Sequence, residues 1–218
     1  MIPIANAERT SPAAARLRRG RAAEATRGNT PSPARDTERV FFAVWPDPVV
    51  RAALEVLAKD CAARTGGRAP APANLHVTLA FIGNVDARRV ITLREIGSNV
   101  SAAAAPFALI LDRMGGFHRQ EIAWLGCSRV NQAVQELAHA LFSQLASAGF
   151  ELEARPFRPH VTLARRAQTR ALASTGDGAL PEPIIWNVSR LTLTASTHAQ
   201  GALRYVAIDS WPLGGSAD

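Results

Sequence analysis

His76-Val77-Thr78-Leu79 and His160-Val161-Thr162-Leu163 are the same four residues, met twice in one chain. Each copy sits in an apolar, β-branched run that reads as a strand, Asn74 to Ile82 for the first and Pro159 to Arg165 for the second. Side chains alternate along a strand, so His76 and Thr78 share one side while Val77, Leu79 and Phe81 share the other. His160 and Thr162 are set against Val161 and Leu163 in the same way. Each strand thus presents an imidazole and a hydroxyl about 6 to 7 Å apart. If the two strands lie side by side, both histidines flank one phosphorus atom and both threonines donate to its oxygens.

Working outward, the order of elements is a loose duplication. Arg39 to Trp45 is an aromatic strand stopped by Pro46, and Asp47 caps a helix running to about Ala63. Asp86 to Val100 reads as helical. Pro106 to Met114 and Glu121 to Cys127 read as a hairpin turning at Gly115 and Gly116. Val130, Val134, Leu137, Leu141 and Leu145 recur at helical spacing up to Gly149. Two last strands are expected at Ile184 to Ala195 and Leu203 to Trp211. This mixture of strands, helices and hairpins predicts an α+β fold rather than a doubly wound parallel sheet, and no Gly-rich dinucleotide loop follows a strand.

The chain has 218 residues with an apolar fraction of 47%, enough for a packed core. Its longest apolar runs are far too short to span a bilayer as a helix. Cys61 and Cys127 have no second cysteine or ligand-spaced histidine nearby, so neither a zinc site nor a disulfide framework is suggested. Net charge is +7, and Lys59 is the only lysine among 25 basic residues. Arginine grips phosphate through a planar fork, which leans the chain towards a polyanionic partner.

Residues 1–38 are rich in Arg, Ala, Pro, Thr and Ser and lack apolar periodicity, so a disordered tail is expected. No continuous apolar signal segment is present, and a cytoplasmic location is the expectation. An organelle presequence and a translation start further along the chain are the other readings of this tail. Residues 39–213 form the expected domain of two lobes, and residues 214–218 a short C-terminal tail.

Histidine titrates near neutrality, so one ring can be neutral and accept a proton while its twin is charged and donates one. Hydrolysis of a cyclic phosphodiester needs both events. The paired motifs, with Arg39-Val40-Phe41-Phe42-Ala43 ahead of the first, Asn74-Leu75 before it and Ala80-Phe81-Ile82-Gly83 after it, resemble the 2H phosphoesterases, most closely their bacterial and archaeal RNA 2',3'-cyclic phosphodiesterase branch. Arg155-Pro156-Phe157-Arg158-Pro159 and Trp211-Pro212-Leu213 are similar to that branch as well.

The resemblance implies a bilobal fold of pseudo-two-fold duplicated lobes, each an antiparallel sheet with outer helices, and an active-site cleft between them. It implies hydrolysis of RNA 2',3'-cyclic phosphate ends to 2'-phosphomonoesters with no metal or other cofactor, by a monomer acting on RNA and not on a membrane. By analogy His76 is the proton donor to the leaving 3'-oxygen, His160 is the proton acceptor that activates water, and Thr78 and Thr162 bind the phosphate. An arginine just after the second motif falls on Arg165. That residue is an odd number of positions from His160, so only a strand that ends or bulges near Ala164 brings it to the histidine side. Ala195-Ser196-Thr197-His198 departs from the Glu-Ser sequence often found there.

Three competing functions stand beside this one: a non-catalytic RNA or nucleotide binding module on the same fold, a 2H enzyme acting on 2',5'-linked or small cyclic nucleotides, and RNA end joining. Among the other histidines, His118 and His139 are expected to be solvated and His198 has no assigned role. Phe41, Phe42, Trp45, Phe81 and Phe157 are read as core, with Arg88 and Arg89 as a solvated helix face. Arg155 and Arg158 are candidates to line an RNA path.

Overall fold

Pro46 ends the aromatic run that opens the described chain, and Asp47 turns it into a helix by accepting the Val50 N–H at 2.9 Å. The computed structural model describes residues 37–153, 156–170, 172, 178–199 and 202–215. The expected tail at 1–38 therefore lies almost wholly outside the described residues, as does Arg155. In chain order the elements are β1 (Thr37–Val44), α1 (Pro48–Thr65), a 3-10 turn (Pro72–Asn74), β2 (Val77–Asp86), α2 (Ala87–Ala103), β3 (Phe107–Phe117), a 3-10 turn (His118–Gln120), β4 (Ile122–Gly126), α3 (Gln132–Ser147), β5 (His160–Arg165), β6 (Ala179–Val188), β7 (Arg190–Ala199) and β8 (Ala202–Pro212).

The strands are antiparallel and ordered β6-β3-β4-β5-β2-β1-β7-β8. Each lobe contributes four of them, β6-β3-β4-β5 and β2-β1-β7-β8. The two halves form one eight-stranded sheet, because β2 and β5 pair at Val77 and Val161. Both residues belong to the repeated motifs, so the seam between the lobes runs through the two copies. Helix α1 packs on β5 and β6, α2 on β7 and β8, and α3 on β2 and β3. The core they enclose is continuous across the seam, with Val77, Val161, Leu163, Leu193 and Trp186 all fully buried. No helix among the described residues is long and apolar enough to cross a membrane.

Three boundaries differ from the sequence reading. The first motif strand begins at Val77, after a 3-10 turn that holds Pro72–Asn74. Gly115 and Gly116 do not form the hairpin turn but lie inside β3, and the chain turns at His118–Gln120. They are glycines because of close packing: a Cβ on Gly115 would meet the Trp124 ring at 2.2 Å, and one on Gly116 would meet Thr169 Cβ at 2.4 Å. The strand expected at Ile184 to Ala195 is two strands that part at Ser189, β6 pairing with β3 in one lobe and β7 with β1 in the other.

Candidate active site

Each motif strand carries a bulge at the last residue of the motif. On β5, Trp124 pairs with Thr162 and the next residue, Ala123, pairs with Ala164, leaving Leu163 extra. On β2, Ala43 pairs with Thr78 and Phe42 pairs with Ala80, leaving Leu79 extra. A bulge inserts one unpaired residue and shifts the alternation by one. Leu79 with Ala80, and Leu163 with Ala164, therefore both turn to the buried helix side. The next residue in each strand turns back to the open face. In β5 that residue is Arg165, which meets the condition set for it. In β2 it is Phe81, whose assignment to the apolar face is overturned: its register partner is Phe41, and it is 42% exposed.

The antiparallel register about Val77 and Val161 sets His76 across from Thr162, and Thr78 across from His160. Diagonal neighbours in such a pair stand about 7–8 Å apart, a span that admits a phosphate group between the two imidazoles. Both rings are held in the same way. The His76 Nδ1–H donates to the carbonyl oxygen of Asn74 at 2.7 Å, and the His160 Nδ1–H donates to that of Arg158 at 2.7 Å. In each case the acceptor is two residues earlier, and Nε2 is left to face the site. His76 Nε2 lies 3.0 Å from Thr78 Oγ1.

The surroundings of the two rings differ. His76 is boxed by Phe41, Trp45 and Tyr205, with ring centroids 5.1, 4.8 and 5.0 Å away. His160 meets Phe117 at 5.1 Å and Trp124 at 6.4 Å. Burial pushes the His76 pKa down to about 4, helped by the positive charges of Arg165 and His160 and opposed by the hydrogen bond to Asn74. Burial also lowers His160, again helped by Arg165 and opposed by the bond to Arg158. Arg165 is thus close enough to act electrostatically on both rings. Beside the His76 box opens a groove of about 460 Å³ lined by Trp45, Tyr205, Arg190, Thr192 and Ser210 among others.

The other candidates scatter. His139 is exposed on α3, and His118 is exposed with Nδ1 2.5 Å from Thr169 Oγ1. The side chain of His198 lies outside the described ones. Phe42 is core, whereas Phe41 is buried beneath His76 on the open face. Arg89 is not a purely solvated residue, since its guanidinium stands 3.7 Å over the Phe150 ring and donates to the carbonyl oxygens of Ala148 and Gly149. The sequence reading passed over Tyr205, the chain's one tyrosine, which reaches His76 from a strand more than a hundred residues away. Among the described residues, no group of three or more His, Cys, Asp or Glu side chains is placed to hold a metal ion.

Two His-x-Thr strands meeting at a two-fold seam beside a shared arginine make the site of a 2H phosphoesterase. A model of the 2'-5' RNA ligase superfamily matches residues 45–199, and the chain belongs to that family. It is 32% identical to an Escherichia coli protein named RNA 2',3'-cyclic phosphodiesterase, over 82% of this chain and 98% of that one. A protein of the same name from Geobacillus stearothermophilus is 33% identical over 66% of this chain and 46% of its own length. The crystal structure of E. coli LigT complexed with 3'-AMP superimposes with a TM-score of 0.70 at 31% identity, covering 82% of this chain and 99% of that one. A Thermus thermophilus structure, TM-score 0.69 at 23% identity and covering 82% of this chain and 100% of that one, shares the fold.

Proposed function

We propose that the protein hydrolyses the 2',3'-cyclic phosphodiester end of RNA to a 2'-phosphomonoester, with its two histidines as acid and base and no metal ion. The observation that supports this reading is the seam itself: the pairing of Val77 with Val161 puts His76, Thr78, His160 and Thr162 on adjacent strands, with Arg165 close enough to shift both imidazoles. The relatives named RNA 2',3'-cyclic phosphodiesterase support the choice of substrate.

In this mechanism the cyclic phosphate lies between the rings. His160 Nε2 takes a proton from water, which attacks phosphorus opposite the 3'-oxygen. His76 Nε2–H gives its proton to that oxygen as the P–O3' bond breaks, leaving the phosphate on O2'. Thr78 and Thr162 donate to the non-bridging oxygens, and Arg165 balances the charge that grows on them. In-line displacement puts the ribose on the His76 side, where the groove beside Trp45 and Tyr205 has room for a nucleoside.

Product analysis tests this directly. Incubation with an oligoribonucleotide ending in a 2',3'-cyclic phosphate, in the presence of EDTA, should yield the 2'-phosphomonoester at an undiminished rate. Release of the 3'-monoester, or loss of activity that only a divalent ion restores, overturns the proposal.

The pH dependence has a definite sign. One ring must be protonated and the other neutral, so activity falls at both extremes of pH, and because His76, the proposed donor, is lowered to about 4, the active form is a minority protonation state. Both imidazoles are lowered from 6.5 in the free protein. The profile of kcat/KM, which reports the free enzyme, should be bell-shaped with its optimum on the acid side of 6.5. Opening the box with Trp45→Ala rehydrates His76 and should move that optimum towards neutrality. An unmoved profile would show that the His76 enclosure does not set it.

A further inference from the structure

The seam holds a second arginine, bridged through its backbone to Arg165. After α1 ends at Gly66, the chain presses against the end of β5, and Arg68 and Arg165 form an isolated antiparallel bridge. The Arg68 N–H donates to the Arg165 carbonyl oxygen at 2.8 Å, and the Arg165 N–H donates to that of Arg68 at 3.0 Å. Gly67 permits this approach, since a Cβ there would stand 3.0 Å from the Arg165 carbonyl oxygen and 3.2 Å from Ala164 Cβ. Gln168 N–H, donating to Thr65 O at 2.9 Å, ties the same loop down a second time.

Residues directly opposed across an antiparallel bridge share a face, with Cβ atoms about 4.5–5.5 Å apart. The bulge has put Arg165 on the open face, so Arg68 stands on that face too. Like charges directly opposed destabilise a sheet. Both residues are exposed, and among the described residues neither guanidinium has a carboxylate or other hydrogen-bond partner. An uncompensated pair of arginines held side by side on one face by their backbone bridge is relieved by a polyanion. The two members are not equivalent: Arg165 acts on both imidazoles, whereas Arg68 is not among the charges that shift either ring. Arg68 therefore stands one step further from the reacting phosphorus.

We infer that Arg68 binds the phosphodiester next to the reacting one, so that the site favours an RNA chain over a cyclic mononucleotide. This deepens the proposed function and rests on it for the identity of the substrate. Single-stranded RNA presents that second phosphate on the ribose side of the reacting group, and the His76 end of the seam, where Arg68 lies, is the end assigned to the ribose.

The test has a binding arm and a turnover arm. In the first, fluorescence anisotropy measures a five-nucleotide RNA with a terminal 3'-phosphate, and competition measures the 3'-phosphorylated mononucleotide. Arg68→Ala should weaken the pentamer about tenfold or more while changing the mononucleotide by less than about twofold. The logarithmic salt dependence of pentamer binding should become shallower by about 0.7, the contribution of one phosphate contact on a single strand. In the second arm, kcat/KM for a cyclic-phosphate-ended pentamer should fall by a similar factor and that for a 2',3'-cyclic mononucleotide should not. Arg68→Lys keeps a charge on the same loop and should retain most of the preference and the salt slope.

Equal losses on both ligands, or no loss on either, overturn the inference, as does a wild-type protein that binds the pentamer no better than the mononucleotide. A protein that binds the pentamer through Arg68 but hydrolyses neither substrate sinks the proposed reaction and leaves this subsite standing.

Discussion

His76→Ala and His160→Ala each lower turnover of a cyclic-phosphate-ended oligonucleotide by about a hundredfold or more, the usual loss when a positioned acid or base is removed. Neither change should abolish folding, because both rings lie on the sheet face opposite the helix-covered core, although His76→Ala also gives up contacts with Phe41, Trp45, Tyr205 and Thr78. The double variant should be little worse than the poorer single one, since acid and base serve the same bond exchange and their losses do not multiply. The two roles separate when the leaving group changes. A phosphodiester that expels a nitrophenolate needs no proton on the departing oxygen, so His76→Ala should recover most of its activity there. His160→Ala should not, because the water still lacks its base. Rescue of His160→Ala instead would exchange the two roles, and near-normal turnover of either variant on the oligonucleotide would remove the acid–base assignment. Circular dichroism and thermal midpoints matching the parent protein are the control.

The seam was legible because the motif that carries the chemistry also carries the pairing. Val77 and Val161 are the buried residues between His and Thr in each copy, so reading the alternation correctly was enough to place four functional side chains on one face. The alternation fails one residue later. Leu79-Ala80 and Leu163-Ala164 are consecutive apolar pairs where a regular strand would alternate, and each marks a bulge that period-two counting carries straight past. The signal was present in both copies, yet it misplaced Phe81. Where one expected strand divides into β6 and β7, the consecutive polar residues Ser189 and Arg190 interrupt the alternation, and only long-range pairing shows that the two halves go to different partners. Tyr205 and Arg68 escaped for a related reason. Neither lies near a motif histidine in sequence, and only β8 folding over β1's neighbour β7, or the loop after α1 folding onto β5, brings them to the site.

Arg165→Ala should cost about a hundredfold in kcat/KM, the loss typical when a preorganised donor to developing negative charge is removed. A lysine at this position restores charge but not the planar fork, so Arg165→Lys should recover only part of the activity. A role confined to holding the strand would predict the same loss, and the pH profile distinguishes the two. Arg165 lowers the pKa of both imidazoles through its charge, so its removal lets both rise and should carry the kcat/KM optimum upward, whereas Arg165→Lys should leave the optimum near its parent value. The bulge supplies an independent check. Inserting one alanine between Ala164 and Arg165 keeps the bulge but moves Arg165 one step along the alternation, turns it towards the buried apolar side and leaves a guanidinium without a partner there. That protein should lose activity at least as fully as Arg165→Ala and should also unfold at a lower temperature, while Arg165→Ala keeps its thermal midpoint. If the insertion retains parent-like turnover, the alternation set by the bulge is not what aims Arg165; if Arg165→Ala leaves the pH optimum in place, its charge does not reach the histidines in solution.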